Sequence, residues 1–420
     1  MHTRFVRRGV ALAIMAAAPA LAGAQQATAT VVTPAFDFSG VLFGSYQWRL
    51  DSLGQAQTGG SHPNQFTLDR AYLTFRMPAG DNGQIRVTTD VFQNTNNATN
   101  SFYQGWLIRI KYGYLQYTGL RNSFGDGSSL VGRIGILHTV VIDYEEQFWP
   151  RYLQQTAVER NGFFSSADGG IAALATLGNH LGEVYATVTN GPGYTSFEKD
   201  RFKDPAARVS FTPFGNSKTL SPIVKSWSIT PWFYKGWVAS TFAAGGPNEV
   251  GSGDNGAITE GLTRDRFGIF TGVRERRINA GLEYAQRQDE SDRGGNTLAS
   301  PRLVTDSTGR LFDGFIVGRP VEWFKPQAKS GLQVIGRFDH FTPNTDPTEV
   351  NGSTNTASYA GTTPSYNFWI LGVSYDVNQR MTFALDWQKQ QGTGFPPPAG
   401  TNIRAIPVSS SLFMQWQATF

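Results

Sequence analysis

The segment Ser409–Phe420 reads S-S-S-L-F-M-Q-W-Q-A-T-F and gives the clearest indication of the fold. Side chains in a β-strand alternate between two faces, so residues two apart share a face. One face of this segment is apolar and comprises Leu412, Met414, Trp416, Ala418 and Phe420. The other face is more polar and comprises Ser411, Phe413, Gln415, Gln417 and Thr419. The segment therefore predicts a strand with one apolar side and one wetter side.

The same alternation recurs from residue 36 onward, with clusters of Gly, Asn and Asp between the alternating segments. Helical periodicity is almost absent, which favours an all-β fold. The predicted strands, sixteen in number, are Phe36–Arg49, Phe66–Arg76, Gln84–Phe92, Trp106–Tyr117, Val131–His138, Gly170–Leu177, Glu183–Thr189, Ala206–Thr212, Lys225–Val238, Thr263–Arg274, Arg277–Arg287, Asp313–Phe324, Leu332–Phe341, Tyr366–Val377, Met381–Gln390 and Ser409–Phe420. The fourth strand has an unsettled phase, because Leu115 and Tyr117 would point inward unless a bulge precedes them.

The N-terminus has the three parts of a secretory signal peptide. Arg4, Arg7 and Arg8 precede an apolar run that ends with Ala22-Gly23-Ala24. We expect a signal peptide at residues 1–24, a short N-terminal segment at residues 25–35 and a barrel at residues 36–420. Cleavage after Ala24 would lower the formal net charge from +4 to +1, because the segment holds three arginines and no acidic residue. The basic charge of the whole chain is therefore no indication of nucleic-acid binding.

The composition excludes several classes of protein. The chain contains no cysteine, which excludes disulfides and thiolate metal sites. No later stretch approaches the 18 or so consecutive apolar residues of a membrane-spanning helix. An exported all-β chain with short turns and long loops in alternation predicts a transmembrane antiparallel β-barrel of about 16 strands. Such a barrel would lie in the outer membrane of a Gram-negative-type bacterium, in contact with its lipid.

Several short motifs resemble one family of such barrels. They are V-G-R-I-G-I-L-H at Val131–His138, Glu159-Arg160, the hairpin from Asp168 to Gly191, D-R-A-Y-L-T-F at Asp69–Phe75 and A-R-V-S-F-T-P at Ala207–Pro213. Together they are similar in order and spacing to the phosphate-selective porin O/P family. The resemblance implies a sixteen-stranded barrel, commonly a homotrimer, whose third long loop folds into the lumen as a constriction. Here that loop is Thr139–Asp168.

The closing strand also resembles the C-terminal strand of bacterial outer-membrane β-barrels. That resemblance implies that Trp416 and Phe420 belong to an assembly signal read by the barrel-assembly machinery. We expect this last strand to close the barrel that all the preceding strands form.

Strand phases place a set of charged side chains on the predicted lumenal face. The pore-lining candidates are Arg70, Arg76, Arg86, Asp90, Arg208, Arg274, Arg277 and Arg337, with Glu283 and Asp339 as further acids. A basic excess between low-dielectric walls favours anions. An alternative remains open, since arginine pairs readily with carboxylates and these residues could simply brace the wall. Arg337 and Asp339 share one face and could form such a pair.

The predicted constriction departs from an anion filter. Its charged residues are Asp143, Glu145, Glu146, Arg151 and Arg160, and the three acids lie close together in the sequence. Carboxylates at a constriction would repel phosphate. Alternatively, the three acids lie at the solvated outer edge of the loop.

Two other functions compete with a channel. A barrel-type outer-membrane hydrolase would need a positioned nucleophile and base, but the histidines after the signal peptide, His62, His138, His180 and His340, are isolated. A plugged structural or adhesive barrel would need a filled interior, whereas sixteen strands leave an aqueous lumen. We therefore predict a porin that passes small hydrophilic solutes by diffusion, with an anion (phosphate-like) preference, no catalytic activity, no cofactor and no metal.

Overall fold

The computed structural model describes residues 36–52, 60, 62–94, 105–198, 200–238, 261–293, 303–345, 365–393 and 408–420. The predicted signal peptide and the segment 25–35 lie outside the described residues. None of the helices within these ranges is long and apolar enough to cross a bilayer.

Sixteen strands fill most of the described residues. They are β1 (Asp37–Arg49), β2 (Asn64–Pro78), β3 (Gly83–Asn94), β4 (Gly105–Arg121), β5 (Ser129–His138), β6 (Ala167–Leu177), β7 (Gly182–Thr189), β8 (Asp204–Phe211), β9 (Ser228–Val238), β10 (Leu262–Glu275), β11 (Ile278–Arg293), β12 (Leu303–Gly318), β13 (Leu332–Thr342), β14 (Tyr366–Asn378), β15 (Met381–Gly392) and β16 (Ser409–Thr419).

Each strand pairs antiparallel with its neighbours in sequence, and β1 pairs with β16 to close the barrel. In that closing pair Trp416 lies opposite Gly44. The predicted fold class, a sixteen-stranded antiparallel barrel, is confirmed.

Short helices interrupt the connections between strands. They are α1 (Ile142–Glu145), α2 (Ala157–Arg160), α3 (Pro222–Lys225) and α4 (Pro320–Phe324). The prediction of a strand at Asp313–Phe324 was wrong at both ends, because β12 begins at Leu303 and ends at Gly318. Pro320 begins α4, where a missing backbone N–H has no cost. The ninth strand likewise begins at Ser228, after α3, and not at Lys225.

The outer surface carries the apolar side chains of the alternating pattern. Ile171, Leu282 and Leu385 are 53%, 54% and 58% exposed. Phe267 and Ile269 also face outward, as their strand phase predicted. In water such a surface would be unfavourable, whereas a bilayer requires it. The closed barrel with an apolar exterior thus supports the predicted outer-membrane location.

Connections differ in length at the two ends of the barrel. One rim, which we call the short-turn rim, includes the two-residue turns between β10 and β11 and between β14 and β15. The other, the long-loop rim, carries the longer connections, among them residues 139–166 between β5 and β6.

Candidate pore and its inward loop

Residues 139–166 enter the barrel, and we call them the inward loop. Val140, Ile142, Trp149 and Phe163 are each 1% exposed or less. The ring centroid of Trp149 lies 5.3 Å from that of Phe315 on β12. The loop is therefore packed inside the lumen against strands opposite its own attachment points. Its last two predicted residues, Ala167 and Asp168, belong to β6.

Apolar packing explains why this segment folds inward. One buried cluster joins Val140, Val158 and Phe163 of the loop to wall residues of β9, β11 and β12. A second joins Trp149 and Leu153 of the loop to wall residues of β1, β13 and β14. Burial of large aromatic side chains provides ~1.5–3 kcal/mol each when they leave water. The loop thus carries its own core, which a solvated loop could not form.

Wall arginines also hold the loop through its backbone carbonyls. Arg208 donates through Nε to the carbonyl of Val140 at 2.5 Å. Arg337 donates to the carbonyl of Gln155 at 2.6 Å. Further donors of this kind are Arg266 to Phe163 and Arg287 to Asn161. Charge-assisted hydrogen bonds are stronger than neutral ones, so these contacts fix the loop's path.

Two predicted pore-lining residues are therefore covered by the loop. Arg208 and Arg337 face the interior, as predicted, but each is only 3% exposed. Arg208 also pairs with Glu183 at 2.6 Å, and Arg337 pairs with Asp339 at 2.7 Å. The alternative of bracing ion pairs fits these two arginines. Burial beneath the loop, which strand phase alone does not reveal, separates them from open water.

Other predicted pore-lining residues lie nearer the rims. Arg274 donates to Gln147 of the loop at 2.6 Å and borders a cavity on the short-turn side. Arg76 pairs with Asp37 at 3.2 Å. Arg277 was placed wrongly on a strand, because β11 begins at Ile278 and Arg277 lies in the turn, bonded to Glu275.

Asp90 gathers two arginines on the long-loop side of the barrel. Its carboxylate is 2.8 Å from Arg109 and 3.3 Å from Arg70, and Tyr194 donates to it at 3.1 Å. Asp90 itself is fully buried. Asp69 lines the same cavity as Arg70, so two acids balance the two arginines on this part of the wall.

Below this pair, a basic track runs down the wall. We define it as Arg86 on β3, Lys111 on β4 and Arg133 on β5. Arg86 donates to Thr88 at 3.1 Å, Lys111 to the hydroxyl of Tyr72 at 3.2 Å and Arg133 to Gln116 at 2.9 Å. These partners are neutral, and within the described chain none of the three cations pairs with a carboxylate. The track is thus a run of three cations on adjacent strands without a carboxylate in ion-pair contact. Arg86 and Arg133 are half-buried, whereas Lys111 is as buried as Arg208 and Arg337.

A β-bulge creates part of this track. Thr88 pairs with Tyr112 and Thr89 pairs with Ile110, so Lys111 is the extra residue on β4. Lys111 and Tyr112 consequently both turn inward, at 2% and 6% exposed. Leu115 and Tyr117 then face outward, which is the bulge that the broken alternation had suggested. The sequence prediction omitted Lys111, Arg109 and Arg133 from the pore, although that broken alternation was a usable signal.

Tyrosines separate the cations of the track. The Lys111 ammonium lies 4.3 Å from the ring centroid of Tyr72, and the Arg86 guanidinium lies 4.9 Å from that of Tyr112. Arg133 lies 5.4 Å from that of Tyr114. Cations over aromatic faces are attracted to the ring while keeping their charge. The rings therefore hold the cations apart without neutralising them.

Arg151 is the central charge of the inward loop. Its guanidinium binds Glu146 and lies 2.5 Å from Glu159, and its Nε donates to Tyr72 of the wall at 3.3 Å. Burial raises the pKa of Glu159, but the charge of Arg151 beside it outweighs that effect and lowers the pKa overall. Arg151 thus bonds two loop carboxylates, offsets one of their two negative charges and joins the loop to β2.

Of the remaining loop acids, Glu145 is buried and Asp143 is half-buried, so the alternative of a solvated outer edge was wrong for Glu145. Burial raises the pKa of Asp143 to about 6, with Arg208 and Arg133 opposing the shift. Glu145 is 3% exposed, and burial followed by the proximity of Glu283 raises its pKa well above the usual value. Apolar packing of α1 directs both carboxyl groups away from open water. The constriction therefore does not present three free carboxylates to a passing anion.

Cavities lie on both sides of the inward loop. On the long-loop side, the rim cavity of about 450 Å³ is bordered by Arg160 and Phe368. A second cavity of about 410 Å³ lies beside Arg70 and Arg151. On the short-turn side, a cavity of about 690 Å³ is bordered by Gln147 and Arg274. The loop is thus the narrow point between two roomier spaces.

Among the described residues, the histidines do not belong to a metal-binding cluster. His340 accepts or donates a hydrogen bond with Asn367 at 2.7 Å, while its neighbour Asp339 faces the interior, as strand geometry predicted. His138 lies against Tyr112, with ring centroids 3.9 Å apart. Within the described ranges, no three acidic or histidine side chains are arranged to hold a metal ion.

No protein-family model matches the chain, and the search of curated proteins returned no match. Solved structures do match. OmpT, an outer membrane protein of Vibrio cholerae in a trimer form, is 10% identical, with 92% of this chain and 99% of that chain covered and a TM-score of 0.54. OmpF of Salmonella typhi, in complex with daunomycin, is 11% identical, with coverage of 92% and 98% and a TM-score of 0.55.

An anion-selective porin from Comamonas acidovorans is 10% identical, with coverage of 92% and 99% and a TM-score of 0.50. At such identities the likeness shows a shared porin fold. Membership of the phosphate-selective porin O/P family is not confirmed.

Proposed function

We propose that this chain is an outer-membrane porin through which small hydrophilic solutes diffuse without energy input, with a preference for anions. Its substrates would pass between the inward loop and the wall formed by β1–β5. The protein acts as a channel and not as an enzyme in this proposal. Location in the outer membrane is supported by the closed barrel and its apolar exterior.

The basic track is the single observation that carries the anion preference. Arg86, Lys111 and Arg133 lie on three adjacent strands and bond only to neutral side chains in the part of the chain that the structure describes. Fixed charge of one sign inside low-dielectric walls concentrates the opposite ion. The rings of charged side chains in other channels set selectivity in this way.

The inward loop permits the proposal because its acids do not stand free in the lumen. Arg151 bonds Glu146 and Glu159 and offsets one of their two negative charges, while Glu145 is buried and Asp143 is half-buried. The folded loop therefore presents fewer free carboxylates to a passing anion than its sequence suggested. Size exclusion would occur at the level of this loop, where Arg151 contacts Tyr72.

The remaining features rest on similarity. A preference for phosphate-like anions comes from the sequence resemblance alone, and the porin from Comamonas acidovorans with a similar fold is itself anion-selective. A homotrimer is proposed because OmpT of Vibrio cholerae has a trimer form. Insertion by the barrel-assembly machinery is proposed because Phe420 ends an apolar strand face.

Reconstitution into planar bilayers tests the proposed function. The purified barrel should give discrete single-channel current steps in potassium chloride, with a reversal potential that shows chloride to be more permeant than potassium. A correctly folded barrel that gives no current steps would overturn the channel. A cation preference in the same salt gradient would overturn the anion preference alone.

A further inference from the structure

The rim cavity has a composition suited to one class of solute. We propose that it binds a small hydroxycarboxylate, such as a sugar acid, with Arg160 holding the carboxylate group. This inference rests on the proposed function, because such a solute would reach the cavity on its way through the channel. It goes further by naming a binding site and a chemical class of substrate.

Arg160 provides the anion-binding group. Its guanidinium carbon lies 3.7 Å from the ring centroid of Phe368, and it donates a hydrogen bond to Gln390. Its Nη1 atom is buried and has no hydrogen-bond partner among the described residues. Arg160 borders the cavity, and the positive charge of its guanidinium would attract a carboxylate bound there.

The charge balance of the cavity favours an anion of low charge. None of the residues that line it is acidic, and its second arginine, Arg49, pairs with Asp51 at 2.8 Å. Arg160, in contrast, forms no ion pair with any carboxylate in the described part of the chain. One uncompensated guanidinium matches one carboxylate, whereas a phosphate dianion is commonly held by several cations.

Amides and hydroxyls supply most of the remaining lining, together with Pro63, Phe368 and Phe413. Gln47 donates to Ser411 at 3.0 Å, and Gln154 donates to Gln388 at 3.4 Å, so the cavity wall is a hydrogen-bonded set of neutral polar groups. A side-chain amide offers both donors and acceptors, which suits hydroxyl groups that also act both ways. A volume of about 450 Å³ is within the range of small-molecule sites.

Binding to the full chain in detergent, measured by isothermal titration with gluconate, tests the inference without any need for conduction. We expect saturable binding of gluconate, and weaker binding of both glucose, which lacks the carboxylate, and acetate, which lacks the hydroxyls. Equal binding of glucose or of inorganic phosphate would overturn the assignment, whether or not any variant folds.

Variants separate the role of Arg160 from general charge. Arg160→Gln should weaken gluconate binding by about tenfold or more, since a charge-assisted contact is lost. Arg160→Lys should restore only part of the affinity, because an ammonium lacks the planar fork. Arg310→Gln, the same charge change at an exposed residue of β12, should leave binding unchanged. Equal affinities in wild type and Arg160→Gln would contradict the proposal.

The two proposals fail separately. A barrel that binds gluconate through Arg160 but carries no current would overturn the channel and keep the site. A barrel that conducts chloride but binds gluconate independently of Arg160 would overturn the site and keep the channel.

Discussion

The ring of Phe420 lies against the Cα of Gly40 across the seam that closes the barrel. The two residues exchange backbone hydrogen bonds, from Gly40 N–H at 2.9 Å and from Phe420 N–H at 3.0 Å. A Cβ at Gly40 would overlap the ring, and a Cβ at Gly44 would overlap the indole of Trp416 in the same way. Two glycines of the first strand thus receive two aromatic side chains of the last strand.

Substitution of Gly40 by leucine should impair closure of the barrel. The new side chain would occupy the place of the Phe420 ring, so we expect a smaller fraction of chains in the heat-modifiable folded form on electrophoresis. Gly132→Leu is the matched control, because Gly132 lies on β5 and a Cβ added there would meet nothing within 4 Å. If both variants assemble as well as wild type, the aromatic–glycine contacts are not needed for closure.

Deletion of Phe420 should slow insertion into the membrane, because the terminal residue pairs with β1 and completes the apolar face of β16. The measurement is the rate at which the folded form appears in liposomes that contain the barrel-assembly machinery. An unchanged rate would show that Phe420 is not part of an assembly signal.

Neutralising the basic track should lower the preference for anions. The triple variant Arg86→Gln, Lys111→Gln and Arg133→Gln removes three positive charges from the wall, and we expect the chloride-to-potassium permeability ratio to fall roughly threefold. A control variant removes three exposed charges, with Lys325, Arg310 and Arg380 each changed to Gln. If the triple variant and wild type have the same permeability ratio, the basic track does not determine the selectivity of the channel.

Loss of Arg151 should destabilise the inward loop. Arg151→Gln leaves Glu146 and Glu159 close together without a cation, and removing one partner of a buried ion pair costs ~3–5 kcal/mol. We expect a lower unfolding temperature and noisier single-channel currents. The double variant Arg151→Gln with Glu159→Gln should recover part of this loss. A double variant that is no more stable than Arg151→Gln would argue against the paired arrangement.

Glu145 should make the folded barrel less stable as pH rises. Its pKa is raised in the folded state, so the folded protein binds a proton that the unfolded chain releases above about pH 4.5. Stability from this group is therefore fully present at low pH and is lost as pH increases. Glu145→Gln should match wild type near pH 4 and unfold at a higher temperature near pH 8. A difference that does not change with pH would contradict this expectation.

Strand periodicity was sufficient to predict the fold, because every second residue of a membrane-spanning strand faces lipid and has to be apolar. It was not sufficient at β12, where alternation ran through Pro320 and the strand lies further toward the N-terminus. It also could not show which lumenal arginines remain open. Arg208 and Arg337 have the right phase, but the inward loop covers them, and its path depends on aromatic contacts between residues far apart in sequence.

Charge assignments failed for a similar reason. Asp143 and Glu145 look like exposed loop acids in the sequence, but in α1 Glu145 is buried and Asp143 is half-buried. Lys111 was left out of the pore because one extra residue on β4 reverses the alternation. A bulge of this kind depends on pairing with β3, which a single strand does not reveal.

The most direct test of the central claim is the reversal potential of single channels formed by the wild-type barrel in a gradient of potassium chloride. We expect discrete conducting steps, and the basic track predicts a reversal potential closer to the equilibrium potential of chloride than to that of potassium. A folded barrel that is silent, or one whose reversal potential lies on the side of potassium, would contradict an anion-preferring channel.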